Sequence, residues 1–265
     1  MLPDLEIKVL FCYSPEVLAN TYRDLSQLQS DNQELCQILE DIFQNNIITY
    51  NVSVLMVDNI EVKELQTQWC LHFPSLTSTQ LNYLVKSPSS PSWYKRLKFG
   101  SLPQDLLELQ NNAFATVVVL ETVIQDSSIV GVSAKIGITN SQEAFIGIGR
   151  SLNIKGQLTC VLDKILLAHE CGHLMGCRHP RGVEGRGFDN TPGNNHGHCL
   201  LDTSGNIVEG TIMSYARDTI LYYSNPNIFE YPAPYQNMPC GVVGESEAYK
   251  TVNNNVQKLA GIFTP

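Results

Sequence analysis

Residues 160–179, CVLDKILLAHECGHLMGCRH, decide how the rest of the chain is read. Apolar side chains occupy most sides of this segment, which predicts a buried central helix with Thr159 as its N-cap. His169 and His173 stand four positions apart, about one helical turn, so their imidazoles project from one face and can converge on one ion. Glu170 follows the first histidine. That places its carboxylate beside such an ion, within reach of a water, rather than on it. Gly176 can adopt the left-handed backbone that ends a helix sharply, and the turned chain then returns His179 as a third ligand. Three protein ligands leave a fourth position for water, the layout of a catalytic rather than a structural zinc site. Unliganded, the same two imidazoles and carboxylate would sit on an apolar helix and need other partners for their polar groups.

Three downstream stretches extend the pattern. HGHC covers residues 196–199, GTIMSY residues 210–215 and YYSNPNI residues 222–228. Met213 lies 34 residues after His179, where a methionine can pack beneath the three histidines. With HECGHLMGCRH these motifs resemble the metzincin zinc metalloproteases, most closely the reprolysin-like (adamalysin-type) bacterial members. The resemblance implies an α/β (α+β zincin-like) fold: a twisted, mixed five-stranded sheet with long helices, a central active-site helix and an irregular C-terminal subdomain. It also implies a zinc-dependent endopeptidase that cleaves extended protein or peptide substrates. Zn2+ would be the cofactor, His169, His173 and His179 its ligands, and Glu170 the general base. Tyr215 would be a second catalytic residue holding the oxyanion, as a tyrosine does in the astacin and serralysin groups; a buried tyrosine with an ordinary hydrogen bond is the other reading. Substrate would add a strand along residues 130–136, and the S1′ wall would come from Ala216 and Ser224–Ile228. Arg178 or Arg217 could face an acidic substrate residue or simply be solvated. The pattern departs at Pro180, as in serralysin-like members, where reprolysins usually carry the aspartate that anchors the turn. Two other readings keep the same motifs: a narrow-specificity protease toxin or effector, and a catalytically silent protease-like binding module.

Upstream, residues 5–12 read as a strand, 15–45 as one long amphipathic helix, and 49–57 and 113–121 as two more strands. Residues 129–137 and 143–149 are further candidate strands. SPSSPSW, residues 87–93, reads as loop. Residues 244–263 read as a closing amphipathic helix. The expected organisation is a single catalytic domain, 1–265, with an N-terminal subdomain 1–176 and a C-terminal subdomain 177–265.

The 265 residues carry a net charge of -9. That balance argues against nucleic acid or an anionic membrane as partner, since either calls for a basic stripe. No apolar run suffices for a membrane span. The eight cysteines are an even number and form disulfides or stay as free buried thiols; Cys177 with Cys199 is the preferred disulfide pair because it would pin the intervening loop. Disulfides point to a secreted, extracellular protein, although the N-terminus lacks the pattern of a signal peptide. A cytoplasmic or translocated effector is the alternative. Asn51-Val52-Ser53 matches a glycosylation sequon. His196 and His198 fit either a second metal site or a hydrogen-bonded loop.

Overall fold

Strand β1, Asp4–Tyr13, is apolar on both faces: Ile7, Val9 and Phe11 join one core, Leu10 and Cys12 another. Such a strand belongs inside a parallel sheet. The computed structural model places it there, and describes residues 2–20, 24–62, 102–124, 131–140, 143–151, 161–182, 190–214, 216 and 218–261. After β1 come helices α1 (Pro15–Asn20) and α2 (Leu25–Asn46), strand β2 (Asn51–Glu61), helix α3 (Leu102–Asn112) and strand β3 (Val117–Ile124). Strands β4 (Gly131–Ser133) and β5 (Phe145–Ser151) then lead into helix α4 (Val161–Met175). The lower part of the chain holds β6 (Cys199–Leu201), β7 (Ile207–Gly210) and the closing helix α5 (Ala248–Leu259).

The sheet order is β2-β1-β3-β5-β4. The first four strands are parallel, and β4 runs antiparallel to β5. This is the mixed five-stranded sheet that the motif resemblance implies. Strands β6 and β7 form a separate antiparallel pair, and the rest of the C-terminal part is mostly turns and isolated bridges.

Two elements differ from the sequence expectation. The stretch 15–45 is two helices rather than one. Asp24 takes an extended conformation and its carboxylate accepts from the Gln27 N–H at 2.9 Å, an N-cap that starts α2 afresh. Of the strand expected over 129–137, the described residues show Gly131–Ser133 as strand and 134–137 as bends and irregular chain; residues 129–130 lie outside them. The stretch 87–93 and Thr159 lie outside the described residues.

Helix α4 is held from several sides. Ile165, Leu167, Leu174 and Met175 are buried in one cluster with Leu35 and Leu39 of α2, Val117 and Val119 of β3, and Val252 and Val256 of α5. Each such side chain contributes about 1.5–3 kcal/mol on burial, enough to carry an apolar helix through the middle of the molecule. A polar contact joins α2 to the sheet. Asn32 of α2 donates to Asn59 at 2.8 Å and to the fully buried Glu121 of β3 at 3.1 Å. Among the described residues no helix is long and apolar enough to cross a membrane.

The disulfide expectation is corrected. Cys12, Cys36, Cys171, Cys177, Cys199 and Cys240 are all free thiols, so Cys177 and Cys199 are not bonded. The Cys177 thiol instead points to the Ala248 carbonyl at the start of α5, 3.8 Å away, while Cys199 opens β6. Burial raises both thiols well above their ordinary range, Cys199 to about 11. Cys70 and Cys160 lie outside the described residues.

Candidate metal centre

The last turn of α4 sets the geometry of the centre. Gly176 has φ +106°, a left-handed conformation that costs glycine little. The Gly176 N–H donates to the His173 carbonyl and the Cys177 N–H to the Gly172 carbonyl, each at 2.8 Å. These two bonds are the Schellman termination of a helix. The Gly137 and Ile138 N–H groups satisfy the carbonyls of His173 and Leu174, also at 2.8 Å. The helix therefore stops where the motif predicts, and the reversed chain brings His179 back over the helix face.

His169, His173 and His179 meet there. Nε2 of His179 lies 3.2 Å from Nε2 of His169 and 3.0 Å from Nε2 of His173. The other ring nitrogens of the helical pair are committed. Nδ1 of His169 donates to the Ile212 carbonyl at 2.7 Å, and Nδ1 of His173 donates to the Cys177 carbonyl at 2.8 Å. A carbonyl only accepts, so both Nδ1 atoms carry the proton and both Nε2 lone pairs face inward. A proton on His179 Nε2, or a cation in its place, fits between lone pairs brought this close. The donor set fits zinc, which takes neutral imidazole nitrogens. Burial, reinforced by His173, pushes His169 down to about 3, while its bond to Ile212 opposes the shift. The neutral form is the one that binds metal. Among the described residues no other group of His, Cys, Asp or Glu has its ligand atoms so assembled.

Glu170 is buried beside the histidines at 4% exposure, and its Oε2 has no hydrogen-bond partner. Burial pushes its carboxyl up to about 8, against a hydrogen bond from Ser133 that stabilises the ionised form. A nearby dication would also pull it back toward ionisation. Strand β4 packs directly on this carboxylate. A methyl group at Gly131 would stand 2.6 Å from Oε1 and 2.7 Å from Cδ1 of Leu166. Gly131 and Ser133 share one face of β4 by the two-residue period, and Val132 faces the opposite core.

Met213 is fully buried, with its sulfur against Gly172 of α4. The residue before it supplies the carbonyl that orients His169. The fully buried Tyr223 closes the same side, and its hydroxyl donates to the Ala168 carbonyl at 2.7 Å. Tyr215 and Arg217 lie outside the described residues. Arg178 donates to the Thr191 hydroxyl at 3.2 Å. Ser224 is buried and bonds the His196 carbonyl and the Ala248 N–H, while Ile228 packs with Leu200, Tyr231 and Cys240. Ser224 and Ile228 thus brace the lower half of the molecule. His196 and His198 belong to a hydrogen-bonded loop: both ring nitrogens of His196 face backbone carbonyls, and Nδ1 of His198 is 3.5 Å from the Ser246 hydroxyl.

Several supporting groups are silent in the sequence. The carbonyls of Ile212 and Cys177 belong to the backbone, which any residue would provide. Ser133 and Gly131 sit in an ordinary strand pattern, and only the packing of β4 on α4 gives them meaning. Tyr223 had a signal, since a tyrosine buried at its hydroxyl must find an acceptor.

Comparison with known proteins agrees with this geometry. No curated protein matches the sequence. A solved structure titled "Structure of a chaperone-substrate complex" is similar in fold, with a TM-score of 0.64 at 16% identity, covering 98% of this chain and 35% of that one. The chain thus spans about a third of that structure's length. A family model described as metallo-peptidase family M12, of the reprolysin type, matches residues 22–228. That span includes helix α4, the returning His179 and the Met213 turn, and the chain belongs to metallo-peptidase family M12.

Proposed function

We propose that the chain is a zinc-dependent endopeptidase, with His169, His173 and His179 as ligands and Glu170 as general base. The observation that carries this reading is the pair of Nδ1–H···O=C bonds that leaves two Nε2 lone pairs facing the third histidine. When bound, zinc supplies Lewis acidity that polarises a scissile carbonyl and lets water act as a nucleophile near neutral pH. Glu170 takes the proton from the attacking water and returns it to the leaving amine. Its unpartnered oxygen is available for that proton. Tyr215, two residues beyond Met213, is assigned to hold the oxyanion. Strand β4 is at the sheet edge and pairs only with β5 among the described residues. Its outer backbone groups suit an extended peptide added as a further strand.

The direct test is zinc content per chain together with cleavage of a random peptide library. A chain that holds one zinc yet cuts no member of the library would sink the endopeptidase reading.

Gly131→Ala tests how the base is placed. The added methyl displaces the Glu170 carboxylate, and a misplacement near 1 Å costs on the order of a hundredfold in rate. Zinc content and the far-UV spectrum should stay at wild-type values. Unchanged kcat/KM in this variant would mean that Glu170 is not held by β4.

A further inference from the structure

We infer that His196 is the positioning residue for the third metal ligand, a role outside the ligand set. The inference rests on the metal reading above. His169 and His173 are spaced by a helix and cannot drift apart. His179 lies outside the helix, on irregular chain beyond Gly176. Pro180, which follows it, offers neither an N–H nor a polar side chain to fasten the turn.

The loop 195–197 contacts successive groups of the returning chain. The Asn195 side chain donates to the Gly176 carbonyl at 2.5 Å. The Asn195 carbonyl accepts from the Arg178 N–H at 2.9 Å, and the Gly197 N–H donates to the Arg178 carbonyl at 2.8 Å. The His196 ring then reaches the ligand residue itself. Its Nδ1 lies 2.7 Å from the His179 carbonyl oxygen and its Nε2 2.9 Å from the Thr191 carbonyl oxygen. The ring is completely buried. Its own carbonyl is fixed by the Ser224 hydroxyl, which in turn accepts from the Ala248 N–H at the start of α5. His196 thus sits between the backbones of His179 and Thr191, with one ring N–H to donate to either carbonyl, and is tied through its own carbonyl to the closing helix. Neither of its nitrogens is directed to the metal centre, so it acts on zinc only through His179.

The test is zinc affinity, measured by competition with a chromophoric chelator, and the X-ray absorption signature of the bound ion. His196→Phe keeps a planar ring of similar size and removes both nitrogens. It is expected to bind zinc about 10- to 100-fold more weakly, the usual cost of losing a group that orients a ligand. The absorption edge should report fewer imidazoles around zinc than in the wild type. His196→Gln, which can still donate to the His179 carbonyl, is expected to recover part of the affinity. That milder variant decides the matter if the phenylalanine variant does not accumulate folded.

Wild-type affinity with an unchanged three-imidazole signature in folded His196→Phe would overturn the inference while leaving the metal reading intact. If the wild type binds no zinc, both fall together.

Discussion

Glu170→Gln is expected to leave zinc bound at one per chain and to lower kcat/KM for peptide cleavage by about 10²–10⁴-fold, the usual contribution of a positioned general base. That range corresponds to about 3–5 kcal/mol of transition-state stabilisation. Glutamine is nearly isosteric with glutamate. It fills the same space against Gly131 and Leu166, so the loss cannot be attributed to a cavity. Its amide can still meet the Ser133 hydroxyl, but it has no site that takes a proton from water. Glu170→Ala removes the same function and also opens a void beside β4, so the two variants separate chemistry from packing. Equal losses in both would assign the effect to proton transfer. A glutamine variant with wild-type kcat/KM would remove Glu170 from the mechanism.

How much of this centre is legible in the sequence depends on the range of each interaction. The spacing of His169, Glu170 and His173 is a property of one helix, and 3.6 residues per turn is enough to read it. The stop at Gly176 is also local, since it is a matter of φ at one residue. The five-stranded sheet is legible because β1, β2, β3 and β5 carry short runs rich in β-branched and aromatic residues. The break between α1 and α2 is harder. The apolar spacing continues through it, and only the Asp24 cap marks a new start. The disulfide expectation failed for a tertiary reason. Cysteine positions give loop lengths but not directions, and the Cys177 side chain is turned toward α5 by the same Schellman turn that brings His179 back. His196 shows the same limit from the other side. HGHC is visible as a motif, but its role needs the contact with a carbonyl 17 residues earlier in the chain.

Removal of one imidazole bears most directly on the centre itself. In His169→Ala the helix loses nothing in propensity, since alanine is the best helix former. The residue lies among buried neighbours in the middle of α4, and the Ile212 carbonyl loses its donor at a cost of about 1–3 kcal/mol. The fold should therefore survive with a modestly lower melting temperature. Zinc should not remain bound. A four-ligand structural zinc site is worth roughly 10–16 kcal/mol, which puts one ligand near 3 kcal/mol and its loss at about a hundredfold or more in affinity. Peptide cleavage should fall in step with zinc occupancy. Chelation of the wild type offers the matching control, because it removes the same ion and leaves all three imidazoles and their carbonyl partners in place. Activity should return on adding zinc to the chelated wild type, yet stay lost in His169→Ala at the same zinc concentration. The contrast isolates the ligand from the metal: recovery in both would mean that zinc is held elsewhere, and recovery in neither would mean that the centre does not reassemble once the ion has left.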